Sequence, residues 1–191
     1  YQDTGTYLTQ LILTNTFSCT DTAEKEIVID NKVLPDFEIQ DVCISDNQWI
    51  KNTTTGNGVP LTSGLFEFNN GDKKISLDSF NYIFNNAGLQ NVKLTIETNI
   101  GCIYTVNKTI EVFPLPISKF TFSPDVGAVI NKPIHFLDGS NNALNVRFLF
   151  EDLSEYKQFE FDHTFDDSGY FKIKHWAISA NNCLDSSEQE I

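Results

Sequence analysis

One pattern recurs three times along this chain at nearly constant spacing. Each copy runs from an aromatic residue through a glycine four residues later to a cysteine and then an isoleucine: Tyr1-Gly5-Cys19-Ile27, Phe84-Gly88-Cys102-Ile110 and Phe165-Gly169-Cys183-Ile191. Glycine and cysteine are 14 residues apart in every copy, cysteine and isoleucine are 8 apart, and successive glycines are 83 and 81 residues apart. A repeat of that length exceeds one solenoid turn and matches a small domain with its own core. The sequence therefore predicts an array of independent modules.

The phase of the repeat divides the chain into three parts. Residues 1–32 are predicted to be the C-terminal part of a truncated module, and residues 33–113 and 114–191 to be two whole modules. Two strands without a partner sheet leave open edges and an apolar face. We therefore expect only a hairpin over Tyr1–Ile29, and further residues before Tyr1 in the parent protein. The linkers are short, and Pro-Leu-Pro at 114–116 predicts a stiff joint near Phe113 and a semi-rigid, extended array.

Alternating side chains after each glycine predict β-strands. One face of each such strand carries Tyr7, Thr9, Leu11 and Leu13; Val92, Leu94 and Ile96; or Phe171, Ile173, His175 and Ala177. A polar turn follows, and the cysteine opens a second strand of a hairpin. Shorter runs predict further strands at 36–40, 48–51, 65–68, 74–77, 117–122, 133–137, 146–150 and 158–161. About seven short strands per repeat indicate an all-β chain of tandem immunoglobulin-like antiparallel β-sandwiches.

Charge narrows the classes of partner. Acidic residues outnumber basic ones 26 to 13, and Arg147 is the single arginine. Without a cationic cluster, nucleic acid and anionic membrane surfaces are not expected partners. No apolar run approaches the roughly 20 residues of a membrane span, so direct membrane insertion is not expected either. The acidic excess is interpreted as the solubility of an exposed surface, with calcium binding at turns such as Asp166-Asp167 and Glu151-Asp152 as the alternative.

The four cysteines favour one disulfide pairing. They lack CxxC spacing, which argues against zinc. Three of them share the repeat position at the top of the last strand, while Cys43 stands alone near the start of the second strand of its module. In one sandwich these two positions lie at opposite ends, about 20 Å or more apart, whereas a disulfide needs Cα atoms within about 7 Å. In a head-to-tail array the favoured bridge is Cys43 with Cys183. A bridge from Cys43 to Cys102 and free buried thiols are the alternatives, and Cys19 and Cys102 would need partners in other modules.

No catalytic site, cofactor or metal site is predicted. His135, His163 and His175 match no recognisable motif with a serine or cysteine nucleophile, and His163 aligns with Tyr82 of the preceding repeat. Packing is the expected role of these histidines. Trp49 and Trp176 are interpreted as core residues.

The closing pattern of each repeat resembles the PKD domain, an immunoglobulin-like module found in tandem on Bacteroidota surface proteins. The resemblance lies in an aromatic residue, a Gly-x-Tyr-x-Val-x-Leu strand, Gly-Cys and a final Ile-x-Val. It is carried by Tyr1-Gly5-Tyr7-Leu11-Cys19-Ile27, by Phe84-Gly88-Val92-Leu94-Gly101-Cys102-Ile110-Val112, and by Phe165, Gly169, Cys183 and Ile191. The family's Trp-Asp-Phe-Gly-Asp-Gly segment is altered here to residues 66–72 and 148–152.

This resemblance implies a non-enzymatic structural or interaction segment of a large exported protein of the bacterial cell surface. Family members occur in adhesins, gliding-motility proteins and proteins exported by the type IX secretion system. The implied partners are protein or glycan ligands at the cell surface and components of a secretion system. The alternative is a spacer or carbohydrate-binding module of a secreted hydrolase. Asp21-Thr22-Ala23 also resembles the O-glycosylation signal of exported Bacteroidota proteins, with Thr22 as acceptor.

Overall fold

A computed structural model describes residues 3–29, 31–124 and 130–191. All of the secondary-structure elements in the described residues are β-strands, with no helix among them, so the predicted all-β class is confirmed. The strands are β1 Gly5–Thr14, β2 Thr20–Ile29, β3 Phe37–Glu38, β4 Val42–Cys43, β5 Asn47–Asn52, β6 Leu61–Phe68, β7 Lys73–Ile75, β8 Phe80–Ile83, β9 Gly88–Thr98, β10 Ile103–Phe113, β11 Phe120–Ser123, β12 Pro133–Asp138, β13 Asn145–Leu149, β14 Glu155–Tyr156, β15 Glu160–Thr164, β16 Lys172–Ile178 and β17 Leu184–Glu190.

The chain divides into two compact units whose boundary does not follow the repeat phase. The first unit comprises Tyr1–Ile39, Trp49–Tyr82 and Gln90–Ile110, and the second comprises Gln40–Gln48, Ile83–Leu89 and Glu111–Ile191. Three short stretches of the first whole repeat therefore belong to the second unit. The module boundaries at 32/33 and 113/114 stay predictions.

The hairpin expected at the start of the chain is present in the first unit. Strand β1 pairs antiparallel with β2 from Gly5↔Ile29 to Thr14↔Thr20, and Tyr1 lies outside the described residues. Leu11 and Leu13 are 59% and 62% exposed. Their repeat equivalents in β9, Leu94 and Ile96, are fully buried. The same alternation thus forms a strand in both places, but only β9 has a sheet packed on its apolar face.

The first whole repeat forms a five-stranded sheet in the order β4-β10-β9-β6-β7 and a three-stranded sheet in the order β3-β5-β8. Phe66 of β6 lies between the sheets, with ring centroids 5.5 Å from Phe37 of β3 and 4.9 Å from Phe80 of β8. Burial of these rings accounts for the face-to-face packing of a sandwich. The short strands β4 and β8 were not predicted.

The second whole repeat has the same two-sheet plan, with sheets in the orders β11-β12-β15 and β14-β13-β16-β17. Its core is mostly aromatic. Phe148 of β13 lies 5.4 Å from Phe120 of β11 and 4.9 Å from Phe161 of β15, measured between ring centroids. Aromatic pairs in edge-to-face geometry add to the hydrophobic stabilisation of such a core.

Candidate functional site

The same turn precedes the cysteine in all three copies of the pattern. The residue just before the cysteine has a left-handed backbone, with φ of 64° at Ser18, 81° at Gly101 and 61° at Asn182. Four residues before the cysteine, a polar side chain accepts a hydrogen bond from the cysteine N–H: Asn15 at 3.0 Å, Thr98 at 3.0 Å and Ser179 at 3.1 Å. The N–H of that residue in turn donates to the cysteine carbonyl. Asx- and ST-type hydrogen bonds of this kind fix the conformation of a turn, so the backbone at each of the three cysteines has the same local geometry.

The structure contains the disulfide that the sequence favoured, between Cys43 and Cys183. Their Cα atoms are 5.6 Å apart, within the usual range for a disulfide. Cys43 is positioned by the parallel pairing of β4 with the end of β10, where it lies opposite Phe113. The N–H of the following residue, Ile44, donates to the Phe113 carbonyl at 2.8 Å. Both cysteines belong to the second compact unit.

The alternative bridge from Cys43 to Cys102 is not formed. Cys102 precedes the first residue of β10, whereas Cys43 lies beside the last residue of that strand. The long strand therefore separates these two cysteines, as the sequence argument anticipated. Cys102 and Cys19 are free thiols, and both are exposed rather than buried.

Thr22, the predicted glycosylation acceptor, lies on β2 opposite Ile12. Thr22 and both of its neighbours in the motif are exposed. The Thr22 N–H donates to the Asp21 carboxylate at 2.9 Å. Its modification stays a prediction.

His175 lies at the centre of a buried polar network whose members the sequence analysis did not identify. The side chain is fully buried, and its Nδ1 lies 2.8 Å from Ser118 Oγ while its Nε2 lies 3.1 Å from Asp138 Oδ1. Ser118 Oγ also lies 2.9 Å from Ser187 Oγ, and the Ser118 N–H donates to Asp185 at 2.8 Å. Burial lowers the pKa of His175, and the nearby Asp138 carboxylate opposes that shift. The imidazole is therefore neutral at physiological pH, and its ring nitrogens accept or donate hydrogen bonds as an uncharged group.

A serine, a histidine and an aspartate in contact are the components of a hydrolytic triad, but these three do not form an accessible site. A nucleophile must reach a bound substrate, whereas His175 has no exposed surface and packs 4.3 Å from the Phe148 ring. The Ser118 hydroxyl also contacts the His175 carbonyl at 3.3 Å. The network instead connects the segment before β11 with β12, β16 and β17, which is a packing role.

One sequence signal pointed to this network. In the repeat alignment His175 falls on Leu94, a fully buried residue of β9. A histidine in a core position needs polar partners. Ser118 and Asp138 could not be identified as those partners from spacing alone, because they come from segments far apart in the sequence.

His163 replaces Tyr82 of the preceding repeat, as the alignment predicted, and makes the same stacking contact. Tyr82 stacks on Phe68 with centroids 3.8 Å apart, and His163 stacks on Phe150 at 4.1 Å. The Tyr82 hydroxyl donates to Asp72 at 2.7 Å, and burial together with that bond raises the Tyr82 pKa to about 12. Burial lowers the pKa of His163, so this ring too is neutral at physiological pH.

The remaining histidine and the acidic turns do not assemble a metal site. His135 is partly exposed between two carboxylates, with Nε2 3.2 Å from Glu160 and Nδ1 2.8 Å from Asp162. Across the described residues, no group of three or more histidine, cysteine or acidic side chains has the geometry to hold a metal ion. In one of the two turns considered for calcium, Asp152 accepts hydrogen bonds from the Ser154 N–H at 2.8 Å and from its hydroxyl at 2.6 Å. In the other, Asp167 accepts from the Ser168 N–H at 2.9 Å.

The prediction that both tryptophans are core residues was wrong. Trp49 alternates with the buried residues Gln48 and Ile50 on β5, and its side chain is 52% exposed. Trp176 lies between the buried residues His175 and Ala177 on β16 and is partly exposed. In both strands the two-residue period directs the tryptophan outward, and this outweighs the general tendency of tryptophan to be buried.

Trp176 lies on the outer face of the β14-β13-β16-β17 sheet beside a shallow concavity. Its cross-strand neighbours are Arg147 on β13 and Ser186 on β17. The Arg147 guanidinium lies 4.9 Å from the centroid of the indole ring, a cation–π contact. The concavity, about 320 Å³ in volume, is lined by Lys174, Trp176, Ser186, Ser187 and Glu188.

No helix long and apolar enough to span a membrane occurs in the part of the chain that the structure describes.

No family model matches the chain, and no curated protein matches it. Fibronectin(III)-like modules of Clostridium thermocellum CbhA are 12% identical, with a TM-score of 0.43 over 84% of this chain and 93% of that one. Carbohydrate-binding modules from the β-sandwich superfamily are 15% identical, with a TM-score of 0.43 over 78% of this chain and 55% of that one. SGBP-B from a Bacteroides ovatus mixed-linkage glucan utilization locus, in complex with a heptasaccharide, is 17% identical, with a TM-score of 0.34 over 83% and 46% of the two chains.

This chain thus spans about half the length of the second and third of those proteins. Similarities of such low identity and TM-score assign no function to it.

Proposed function

We propose that this chain is a non-enzymatic structural and interaction segment of an exported protein of the bacterial cell surface, built from PKD-type sandwiches. The supporting observation is the Cys43–Cys183 disulfide. Disulfides persist in oxidising compartments and are rare in reducing cytosol. A bond between cysteines 140 residues apart in sequence constrains most of the chain at once. Such a constraint suits a spacer that presents a binding element away from the cell, as in an adhesin or in a gliding-motility or type IX secretion-associated protein.

The test is mechanical extension of the whole chain by its two ends. While the disulfide is intact, the residues that it encloses cannot be extended. Full extension of the oxidised chain is therefore expected to be shorter than that of the reduced chain by about 490 Å, at about 3.5 Å per residue over the 140-residue separation. The matched control is Cys102→Ser, which removes an exposed free thiol and is expected to leave both extensions unchanged.

Two outcomes would reject the proposal. One is equal extension of the oxidised and the reduced chains. The other is peptide mapping without reduction that finds Cys43 joined to Cys102, or that finds both Cys43 and Cys183 alkylated.

A carbohydrate-binding module is the second candidate function, because one observation favours it. Trp176 is partly exposed next to a polar concavity on an outer sheet face. Partners would then be glycan ligands at the cell surface or the polysaccharide substrate of a secreted hydrolase.

A further inference from the structure

The outer face of the second repeat carries a tryptophan that the fold itself does not require. Trp176 and Arg147 occupy directly paired positions on β16 and β13. In the first repeat the equivalent pair is Thr95 and Leu65, on β9 and β6. The first repeat thus pairs the same two strands without an aromatic residue, so the fold alone does not explain Trp176.

The surroundings of Trp176 combine a flat apolar surface with polar groups of both kinds. Arg147 packs on the indole and restricts its orientation. Next to the ring, the concavity offers hydrogen-bond donors from Lys174 and Ser186 and acceptors from Ser186 and Glu188. A rigid aromatic surface with a few convergent polar groups is typical of a small-ligand site.

The charges on this face argue against an anionic ligand. Glu155 binds both Arg147 and Lys157 at 3.0 Å, and Glu188 lies 3.8 Å from both Lys172 and Lys174. These cations therefore already have carboxylate partners. In addition, the chain as a whole carries a formal charge of −13, which repels polyanions.

We propose that this face binds a neutral polysaccharide. The C–H face of one sugar ring packs against Trp176, and its hydroxyl groups, which both donate and accept, pair with Lys174, Ser186 and Glu188. This inference deepens the interaction role in the proposed function. Its test does not depend on the disulfide, so an experiment can reject either of the two proposals without rejecting the other.

The experiment is native electrophoresis of the full chain in gels that contain a soluble neutral polysaccharide, either a β-glucan, a galactomannan or a xylan. Retardation by at least one of them is expected. Trp176→Ala is expected to lower the affinity about tenfold or more through loss of the stacking surface. The matched control is Trp49→Ala, which removes the other partly exposed tryptophan from the first repeat and is expected to retain binding. Polygalacturonate serves as the acidic comparison.

A second variant keeps the test decisive if Trp176→Ala is poorly folded. Ser186→Trp fills the concavity with a side chain compatible with a strand, and it is expected to abolish retardation while the thermal unfolding midpoint is preserved. The proposal is overturned if no neutral polysaccharide retards the wild type or if polygalacturonate retards it more strongly. It is also overturned if Trp49→Ala weakens binding as much as Trp176→Ala, or if either Trp176→Ala or Ser186→Trp is correctly folded and binds like the wild type.

Discussion

At the scale of single residues, the second whole repeat has a histidine at two positions where the first repeat has another side chain. His163 stands in place of Tyr82, and His175 stands in place of Leu94. Both rings are buried against phenylalanines, and burial lowers both pKa values. The second repeat therefore contains two groups whose protonation opposes folding.

The unfolding free energy is expected to decrease as the pH is lowered. Because the folded-state pKa of each histidine lies below the unfolded value of about 6.5, the stabilisation is complete above that pH and is lost as the pH falls from there through the folded-state pKa. Lys108 lowers the pKa of Asp36, and Lys157 lowers the pKa of Glu155. These two carboxylates begin to contribute to the loss of stability only nearer pH 4. Urea titrations at pH 7.5, 6.5 and 5.5 measure this decline.

His163→Tyr restores the residue of the first repeat and is the matched variant. It is expected to reduce the decline between pH 7.5 and 5.5, because tyrosine stays neutral throughout that range. An unchanged decline would assign the acid sensitivity to groups other than His163.

Ser118→Ala is expected to destabilise the chain by about 1–3 kcal/mol, because it leaves the buried His175 ring without its Nδ1 partner. Ser168→Ala removes an exposed serine and is expected to change the free energy of unfolding by less than about 0.5 kcal/mol. Chemical denaturation of both variants at pH 7.5 measures the difference. Equal stability of the two variants would show that the network contributes nothing.

At the scale of elements, the turn before each cysteine ends the first strand of a hairpin and fixes the position of the cysteine. Three different residues, Ser18, Gly101 and Asn182, adopt the left-handed backbone at the same position. Asparagine tolerates that region well, whereas a β-branched residue does not. The turn therefore constrains backbone conformation more than residue identity.

Gly101→Asn is accordingly expected to change stability by less than about 0.5 kcal/mol, and Gly101→Val to cost about 1–2 kcal/mol. A Cβ at Gly101 meets no atom within 4 Å, so the difference between the two variants reports the backbone rather than a steric clash. Thermal unfolding of both variants is the measurement. A valine variant as stable as the asparagine variant would contradict this account of the turn.

The sequence predicted the long strands, in which the alternation of apolar and polar side chains extends over many residues. Strands β9 and β10, eleven residues each, follow from alternation and from the repeated glycine and cysteine at or just before their first residues. Strand β4 has two residues and exists because the end of β10 offers it a partner, and no local pattern encodes that. For Trp49 the alternation with Gln48 and Ile50 was the better guide, and the usual preference of tryptophan for the interior misled the interpretation.

At the scale of the whole molecule, one covalent bond joins residues whose separation in sequence exceeds the length of a repeat. The pairing of Cys43 with Cys183 was predictable because only Cys43 lies off the repeat position and because strand geometry separates it from Cys102. The division into compact units was not predictable in the same way. Residues 40–48 and 83–89 lie within the first whole repeat of the sequence but belong to the second compact unit.

Reduction of the disulfide is expected to lower the free energy of unfolding by about 4–5 kcal/mol in the chain-entropy description of a loop of this length. The Cys43→Ser/Cys183→Ser double variant is expected to match the reduced wild type. Without reduction, alkylation is expected to modify Cys19 and Cys102 only, since both are exposed free thiols. Oxidised and reduced chains of equal stability would contradict this prediction.

The shared cysteine turn also bears on how arrays of this kind change during evolution. Each copy of the turn holds its cysteine through a hydrogen bond to a side chain four residues earlier, independently of any bonding partner. Duplication of a repeat therefore duplicates a thiol that is already oriented. A single substitution to or from cysteine at one position of another repeat, as at Cys43 on β4, then suffices to gain or lose a crosslink. The number of covalent links can be adjusted one mutation at a time, while the sandwiches themselves are inherited intact.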